Sequence, residues 1–278
     1  MNELCPAAGV SRAGYYRFRR RTPNPPSDMD LRSRMQEIAL NWPAYGYRRV
    51  HAELRRQGWR VNHKRVLRLM RADNLLCVRR RKFILTTDSR HGLPIYPNLS
   101  AGMKLTGIDQ LWVADITYIR LQKEFVYLAV VLDAFSRRCL GWDLRRSLEA
   151  ELVLAALRMA LKQRRPRPGL VHHSDRGVQY ASRDYTQLLA QHGIQISMSR
   201  RGNVYDNALC ESFIKTLKYE EVYREDYQDL EEAVAGIEHF VESIYNQKRL
   251  HSALGYRPPV EFEQSLLRAG VGKAGAAA

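Results

Sequence analysis

Long apolar runs are missing from this chain. The longest stretch, Phe125 to Leu132, stops at Asp133 and falls well short of the roughly 18 apolar residues that cross a bilayer. The amino-terminal MNELCPAAGVSR has no basic segment leading into an apolar core, so no secretory signal is expected. Cysteine is scarce: Cys5, Cys77, Cys139 and Cys210 are scattered over 278 residues. They form no C-x-x-C pair and no disulfide framework, which fits a reducing cytoplasm. Acidic residues are sparse at the front. Residues 1–108 hold 22 Lys/Arg against 7 Asp/Glu, whereas residues 109–278 hold 23 against 22. Nearly all of the net charge of +16 therefore sits in the first two-fifths of the chain. A field of that sign draws polyanions. With the membrane discounted, the asymmetry points to a basic nucleic-acid-gripping module joined to a balanced domain.

The front half reads as helices. Residues 3–18 suit a short helical hairpin, with Ser11 capping its second arm, and RTPNPPSD (21–28) breaks structure. A helix is expected from about Asp30 to Ala39. Another lies within YGYRRVHAELRRQG (45–58), with Val50 and Leu54 on one face and a stop at Gly58. Asn62 then caps a helix over 63–72, with Val66, Leu67 and Met70 as its apolar side. Lys64, Arg68 and Arg71 lie on another side, with Arg65 beside them. Two helices joined by a short turn, the second basic, suit a helix-turn-helix unit that lays its second helix in a DNA groove. A basic amphipathic helix on an ordinary solvated surface is the alternative.

The pattern changes at 111. LWVADITYIR, FVYLAVVLD (125–133) and RRCLGWDL (137–144) read as an antiparallel meander. A helix follows over 147–163, capped by Ser147, with Leu148, Leu152, Ala155 and Met159 sharing a face. A strand in GLVHHSD (169–175), a helix over 182–193, a strand at 194–198 and helices over about 206–219 and 229–246 complete the order. The expected class is α/β: a mixed sheet flanked by helices, preceded by a helical DNA-binding region. The expected division is 1–80 helical module, 81–108 basic linker, 109–265 catalytic core and 266–278 disordered tail.

Three carboxylates stand out. Asp115 interrupts an otherwise apolar strand, where a carboxylate is costly unless paired or metal-bound. Asp175 follows the fourth strand, and strand ends are where sheet sites gather. Glu211 lies on a helix with Asn207, Lys215 and Lys218 at spacings that let them share a face. Singly, each has a plain alternative: a salt-bridged strand residue, a turn aspartate, a solvated glutamate. Together they suit a divalent-metal site, since Mg²⁺ takes hard oxygen ligands and paired cations activate phosphodiester cleavage. Asp133 reads as a turn residue, with a fourth ligand as the alternative. His172 and His173 lack a zinc partner set. Asn246, Arg249, His251 and Tyr256 either order the C-terminal region or touch DNA.

The separations are 59 residues between Asp115 and Asp175 and 35 between Asp175 and Glu211. With the strings WVADITYI, HHSDRGVQYAS, GNVYDNALCESFIKTLKYE and YNQKRLHSALGYRPPVEF, this resembles the D,D(35)E signature of retroviral-integrase-like transposases. It is most similar to the second-frame (OrfB-type) transposases of the IS3 family of bacterial insertion sequences. GVSRAGYYR, YGYRRVHAEL and VNHKRVLRLM carry the likeness into the front module. The resemblance implies an RNase H-like core and Asp115, Asp175 and Glu211 as catalytic ligands of two Mg²⁺ or Mn²⁺ ions. It also implies DNA contact by Lys218 and a DNA-binding region from Tyr15 to Met70; Lys215, and Lys64, Arg65, Arg68 and Arg71 on the basic helix, are the further expected DNA contacts. The implied activity is metal-dependent strand cleavage and strand transfer of element ends, by a homo-oligomer on double-stranded DNA in a bacterial cytoplasm, at the nucleoid. An upstream-frame helix-turn-helix and leucine-zipper part, as partner or fusion, is a further implication. The rival readings are a catalytically silent DNA-binding regulator or fragment, and a nuclease that shares the core fold.

Overall fold

The computed structural model describes residues 5, 11–19, 28–75, 94–200 and 207–274. The chain divides into two compact units, Met1–Val78 and Arg79–Ala278.

In the first unit, α1 (Arg12–Arg19) opens at Ser11, whose Oγ accepts the Gly14 amide at 3.0 Å. The first arm of the expected hairpin falls mostly outside the described residues. Helices α2 (Asp28–Asn41), α3 (Tyr47–Arg56) and α4 (His63–Ala72) bury one apolar stripe each: Leu31, Met35 and Ile38; Val50 and Leu54; Val66, Leu69 and Met70. The turn between α3 and α4 forms where the sequence predicts it. Gly58 takes φ +87°, and the Asn62 side chain accepts the Lys64 amide at 2.8 Å. Leu69 replaces the predicted Leu67 in the stripe, because positions 66, 69 and 70 follow the i, i+3, i+4 spacing of a helix face.

The second unit is a five-stranded mixed sheet, order β3-β2-β1-β4-β5. Strands β1 (Leu111–Arg120), β2 (Phe125–Asp133) and β3 (Cys139–Arg145) form the expected antiparallel meander. Strands β4 (Val171–Ser174) and β5 (Gln195–Met198) join in parallel, each reached through a helix: α5 (Ala150–Gln163) and α6 (Arg183–Gln191). Alternation along the strands divides the core in two. Val113, Val130 and Leu132 pack with Cys210, Phe213, Ile237 and Phe240, while Trp112, Ala114, Ala129 and Val131 pack with Leu152, Leu157 and Leu189.

Helix α5 departs from expectation. Ser147 does not cap it; Glu149 occupies the cap position without a side-chain bond. Its buried face is Leu152, Val153, Ala156, Leu157 and Ala160 rather than the stripe through Leu148, Ala155 and Met159. Close approach to β3 sets this rotation: a Cβ on Gly141 would lie 2.1 Å from the Ala156 carbonyl oxygen and 2.8 Å from the Ala160 nitrogen. Only small residues let the helix sit this near the sheet.

Helices α7 (Ala208–Leu217) and α8 (Leu230–Glu238) each run on into a π-helical turn, Lys218–Val222 and His239–Tyr245, where continuous α-helix is predicted. A final helix, α9 (Pro259–Ala274), covers 266–274 of the expected tail, and 275–278 lie outside the described residues. Leu266, Leu267, Arg268 and Ala269 are good helix formers, and they outweigh the two glycines that follow. Of the predicted linker, 81–93 lie outside the described residues. The described part is irregular but anchored: the Leu99 amide donates to Ser197 Oγ at 2.8 Å. Among the described residues, no helix is long and apolar enough to cross a membrane.

Several polar residues prove to be structural. The Asp133 carboxylate accepts the Phe135, Ser136 and Asp109 amides at 3.0, 2.7 and 2.7 Å, which fits the turn role. Asn246 pairs with Cys139 as a strand would, accepting its amide and donating to its carbonyl, each at 3.0 Å. Arg249 forms a buried two-pronged pair with Glu220.

Replacing Gly141 with Ala should destabilise the second unit at or above the upper end of the ~1–3 kcal/mol usual for overpacking. Chemical denaturation would show this, and an unchanged midpoint would refute the close-approach account.

Candidate active site

The site is built where β4 leaves β1. The parallel register pairs Leu111 with Val171, Trp112 with His172 and Val113 with His173, an offset of 60 residues. Continuing that offset brings Asp115 level with Asp175, just past the end of β4. Beyond Val113, no strand among the described residues pairs with β1 on this side, so its edge is open to other groups.

Part of that edge is taken by Asn207, the residue that opens α7. Its Nδ2 donates to the Ala114 carbonyl at 3.1 Å. The first turn of α7 is thereby pinned beside Asp115, and Glu211 follows one turn later, its amide donating to the Asn207 carbonyl at 3.2 Å. Sequence reasoning placed Asn207 on the face of Glu211 but missed this docking role. A strand edge left open by a short neighbour is a tertiary feature with no local signal.

The charges of Asp175 and, more weakly, Glu211 are felt at Asp115. Asp115 is half-buried as a residue, but its carboxyl is densely surrounded by protein. Burial first, then the charge of Asp175 and more weakly that of Glu211, push it up to about 8; the Ile116 amide and Lys218 oppose the rise. Asp175 is held by its turn, Oδ1 accepting the Gly177 amide at 2.9 Å. Gly177 fits closely there: a Cβ would meet that oxygen at 3.0 Å, so a larger residue would push the carboxylate. Glu211 is exposed. Among the described residues no three His, Cys, Asp or Glu side chains converge closely enough to hold an ion as a set. The arrangement is thus an aspartate pair with a glutamate poised on the helix above it.

Two buried polar atoms at this site lack a hydrogen-bond partner: Asn207 Oδ1 and the Tyr180 hydroxyl. Burial, then Tyr185, Asp115 and Asp175, hold the Tyr180 phenol well above its ordinary value, so its oxygen lies in the field of both aspartates. Crowded hard oxygens and a carboxyl that resists ionisation until its charge is matched fit a divalent cation.

Lys218 ends α7 half-buried, its Nζ 4.4 Å from the Tyr118 ring centroid. Burial lowers its pKa, and the charge of Asp115 opposes that. Lys215, one turn earlier, is exposed. The two histidines are core residues. His172 Nε2 meets the Tyr185 hydroxyl at 2.9 Å, and burial, helped by His173, lowers its pKa to about 3. His173 bonds Ser197 and Ser199 at 2.8 and 3.0 Å.

In the first unit Lys64, Arg68 and Arg71 are exposed on α4. Arg65 is occupied: Nε and Nη2 donate to Asp28 Oδ1 at 3.0 and 2.7 Å, tying α4 to the start of α2. Arg68 reaches the same carboxylate at 3.5 Å.

Comparison with known proteins agrees with both units. An integrase core domain family matches residues 106–204, a second integrase core domain family matches 192–259, and an HTH-like domain family matches 26–83. The insertion element IS600 uncharacterized 31 kDa protein of Shigella sonnei is 39% identical over 265 residues, covering 94% of this chain and 97% of that one. Transposase InsF for insertion sequence IS3A of Escherichia coli (strain K12) is 35% identical over 270 residues, covering 95% and 94%. The chain belongs to the IS3 family of transposases. Among solved structures it is similar to a chain of the simian T-cell lymphotropic virus intasome, at 14% identity and TM-score 0.48, covering 83% of this chain and 74% of that one. In this IS3-family chain the HTH-like match spans α2–α4, and the two core matches together span the sheet and α7.

The raised pKa of Asp115 has a stability consequence. Without metal, the folded state holds this proton up to about pH 8, whereas the unfolded chain releases it near 3.8. The folded state therefore loses ground as pH rises between those values and levels off above. Asp115→Asn should raise the melting temperature in chelator by an amount that grows from pH 4 to pH 8. An equal gain at both ends would exclude the buried charge as its cause.

Proposed function

We propose that this chain is a DDE-type DNA transposase that cleaves element ends and joins them to target DNA, with Asp115, Asp175 and Glu211 as its catalytic carboxylates. The observation that carries the reading is the β1–β4 register. It sets the two aspartates side by side, and Asn207 docks the glutamate helix over them.

Asp115 and Asp175, completed by Glu211, would hold Mg²⁺ or Mn²⁺. When bound, such ions supply activation of a water or 3′-hydroxyl and charge stabilisation at the leaving oxygen. The chain's own residues do the rest. The Asp175–Gly177 turn fixes one carboxylate, and Asn207 holds the helix of the other. Lys215 and Lys218 face the phosphate backbone, where cations add sequence-independent affinity. Helix α4 presents Lys64, Arg68 and Arg71 to DNA, and Arg65 braces it through Asp28. Cleavage by water frees a 3′-hydroxyl, and attack by that hydroxyl on a target phosphodiester exchanges one ester for another without an external energy source. Two ends must meet for this, so at least a dimer on DNA is required.

The test is a Mg²⁺-dependent cleavage and joining assay on the flanking terminal repeats. Asp175→Asn should reduce cleavage on the order of 10⁴-fold, the scale seen when one member of a catalytic set is removed, with a gel shift unchanged. Full cleavage by the variant would overturn the site assignment. Cut strands without joined product from the parent chain would mark a nuclease instead. Asn207→Ala should cut cleavage while sparing duplex binding, and unaltered cleavage rates would deny it the helix-docking role.

A further inference from the structure

Around the open edge of β1 lies a second cluster that the carboxylate chemistry does not use. Tyr118 on β1 and Phe125 at the start of β2 meet edge-to-face, with centroids 5.6 Å apart. Tyr219 and Tyr223, on and just after the Lys218–Val222 turn, form a similar pair at 5.6 Å. The two pairs adjoin. Lys218 Nζ lies on the Tyr118 ring, and the Gln122 amide of the β1–β2 turn donates to the Tyr227 carbonyl at 3.1 Å. The Tyr223 phenol is raised first by burial, then by Tyr118 and Tyr219. Phe125 is nonetheless 54% exposed and Tyr223 56%. Scattered exposed apolar residues need no explanation, but four aromatic rings gathered beside one lysine do.

We propose that Tyr118, Phe125, Tyr219 and Tyr223 form a stacking platform for an unpaired nucleotide of the DNA strand held at the carboxylates. The proposal rests on the transposase reading. The cations set against the rings suit a nucleic acid occupant, with the exposed Glu225 and Asp226 lying just past Tyr223. Arg120 and Lys123 are exposed at the hairpin, while the acidic groups of the π-helical turn are engaged inward, Glu220 by Arg249 and Glu221 by the Tyr227 hydroxyl at 2.7 Å. Rings interleaved with cations are how proteins hold single strands, since every base offers a face to stack. An internal base pair has both faces covered by its neighbours and a terminal pair shows only its outer face, so seating a single base between the rings requires the duplex end to open. Lys218 follows Glu211 by seven residues, about 10 Å along a helix, so the platform lies within a short reach of the scissile bond. The π-helical turn shifts the helix phase at this point, a feature that recurs at functional sites.

The test measures binding of the full-length chain to two duplexes that carry the terminal repeat, one fully paired and one with non-complementary terminal nucleotides. The parent chain should bind the frayed duplex about tenfold more tightly, within the range of one stacked base. The double variant Phe125→Ala/Tyr223→Ala should lose that preference yet bind the paired duplex as before, with an unchanged melting temperature. Phe125→Trp/Tyr223→Trp should keep it. No preference in the parent chain, or a preference that survives the alanine variant, would overturn the platform. Conversion of a DNA-free dimer to monomer by the alanine variant would also overturn it, marking the cluster as an interface between copies. Because binding is read in chelator, an absence of cleavage chemistry would leave this result standing on its own.

Discussion

Parallel pairing between β1 and β4 lasts for only three residue pairs, Leu111–Val171 to Val113–His173, and the second unit's chemistry depends on where it stops. While the strands pair, backbone hydrogen bonds hold two distant parts of the chain in a fixed offset. Where they part, the same offset delivers two aspartates to one place, and β1 keeps an open edge. Asn207 uses the first carbonyl of that edge to seat α7. Further along β1, Lys218 reaches the Tyr118 ring. The carboxylate pair, the glutamate helix and the aromatic cluster are thus all arranged around one short strand pairing. The close contact of Gly141 with α5 keeps the opposite side of the sheet packed and the strand layer fixed.

Such a site stores unfavourable energy. A carboxyl crowded by protein and by a second carboxylate resists ionisation, as the rise of Asp115 to about 8 shows. Structural groups nearby are satisfied: His172 and His173 have hydroxyl partners, and Asp133 accepts three amides. Two of the unmatched buried atoms among the described residues, Asn207 Oδ1 and the Tyr180 hydroxyl, lie near the aspartates. Other buried polar atoms without partners, such as Trp142 Nε1 and Arg138 Nε, are spread over the fold, so it is the crowding of the two aspartates, more than the orphaned atoms, that sets this place apart.

The amino-terminal unit applies a different economy of charge. Its excess of arginine is not uniformly available to a polyanion. Arg65 is spent on Asp28, and that pair fixes the first turn of α2 against α4. Lys64, Arg68 and Arg71 remain exposed on the helix that Asn62 caps. Composition alone counts these four side chains equally, and only their neighbours distinguish bracing from presentation.

Local rules settled much in advance. Runs of apolar, aromatic and β-branched residues specify β1 and β2 to their observed ends, and Asn62 and Gly58 mark the turn between α3 and α4, because these signals act within a few residues. The motif strings around Asp115, Asp175 and Glu211 carry the family likeness for the same reason: they are contiguous. What the sequence left open depends on contacts between distant segments. The buried face of α5 is chosen by Gly141, Leu69 displaces Leu67 by packing, and α7 and α8 pass into π-helical turns where the expected period is 3.6. The α9 helix extends past the point where composition suggests it should stop. Above all, the three acidic residues can be named from the sequence, but their meeting cannot, since it follows from a strand register that no local segment encodes.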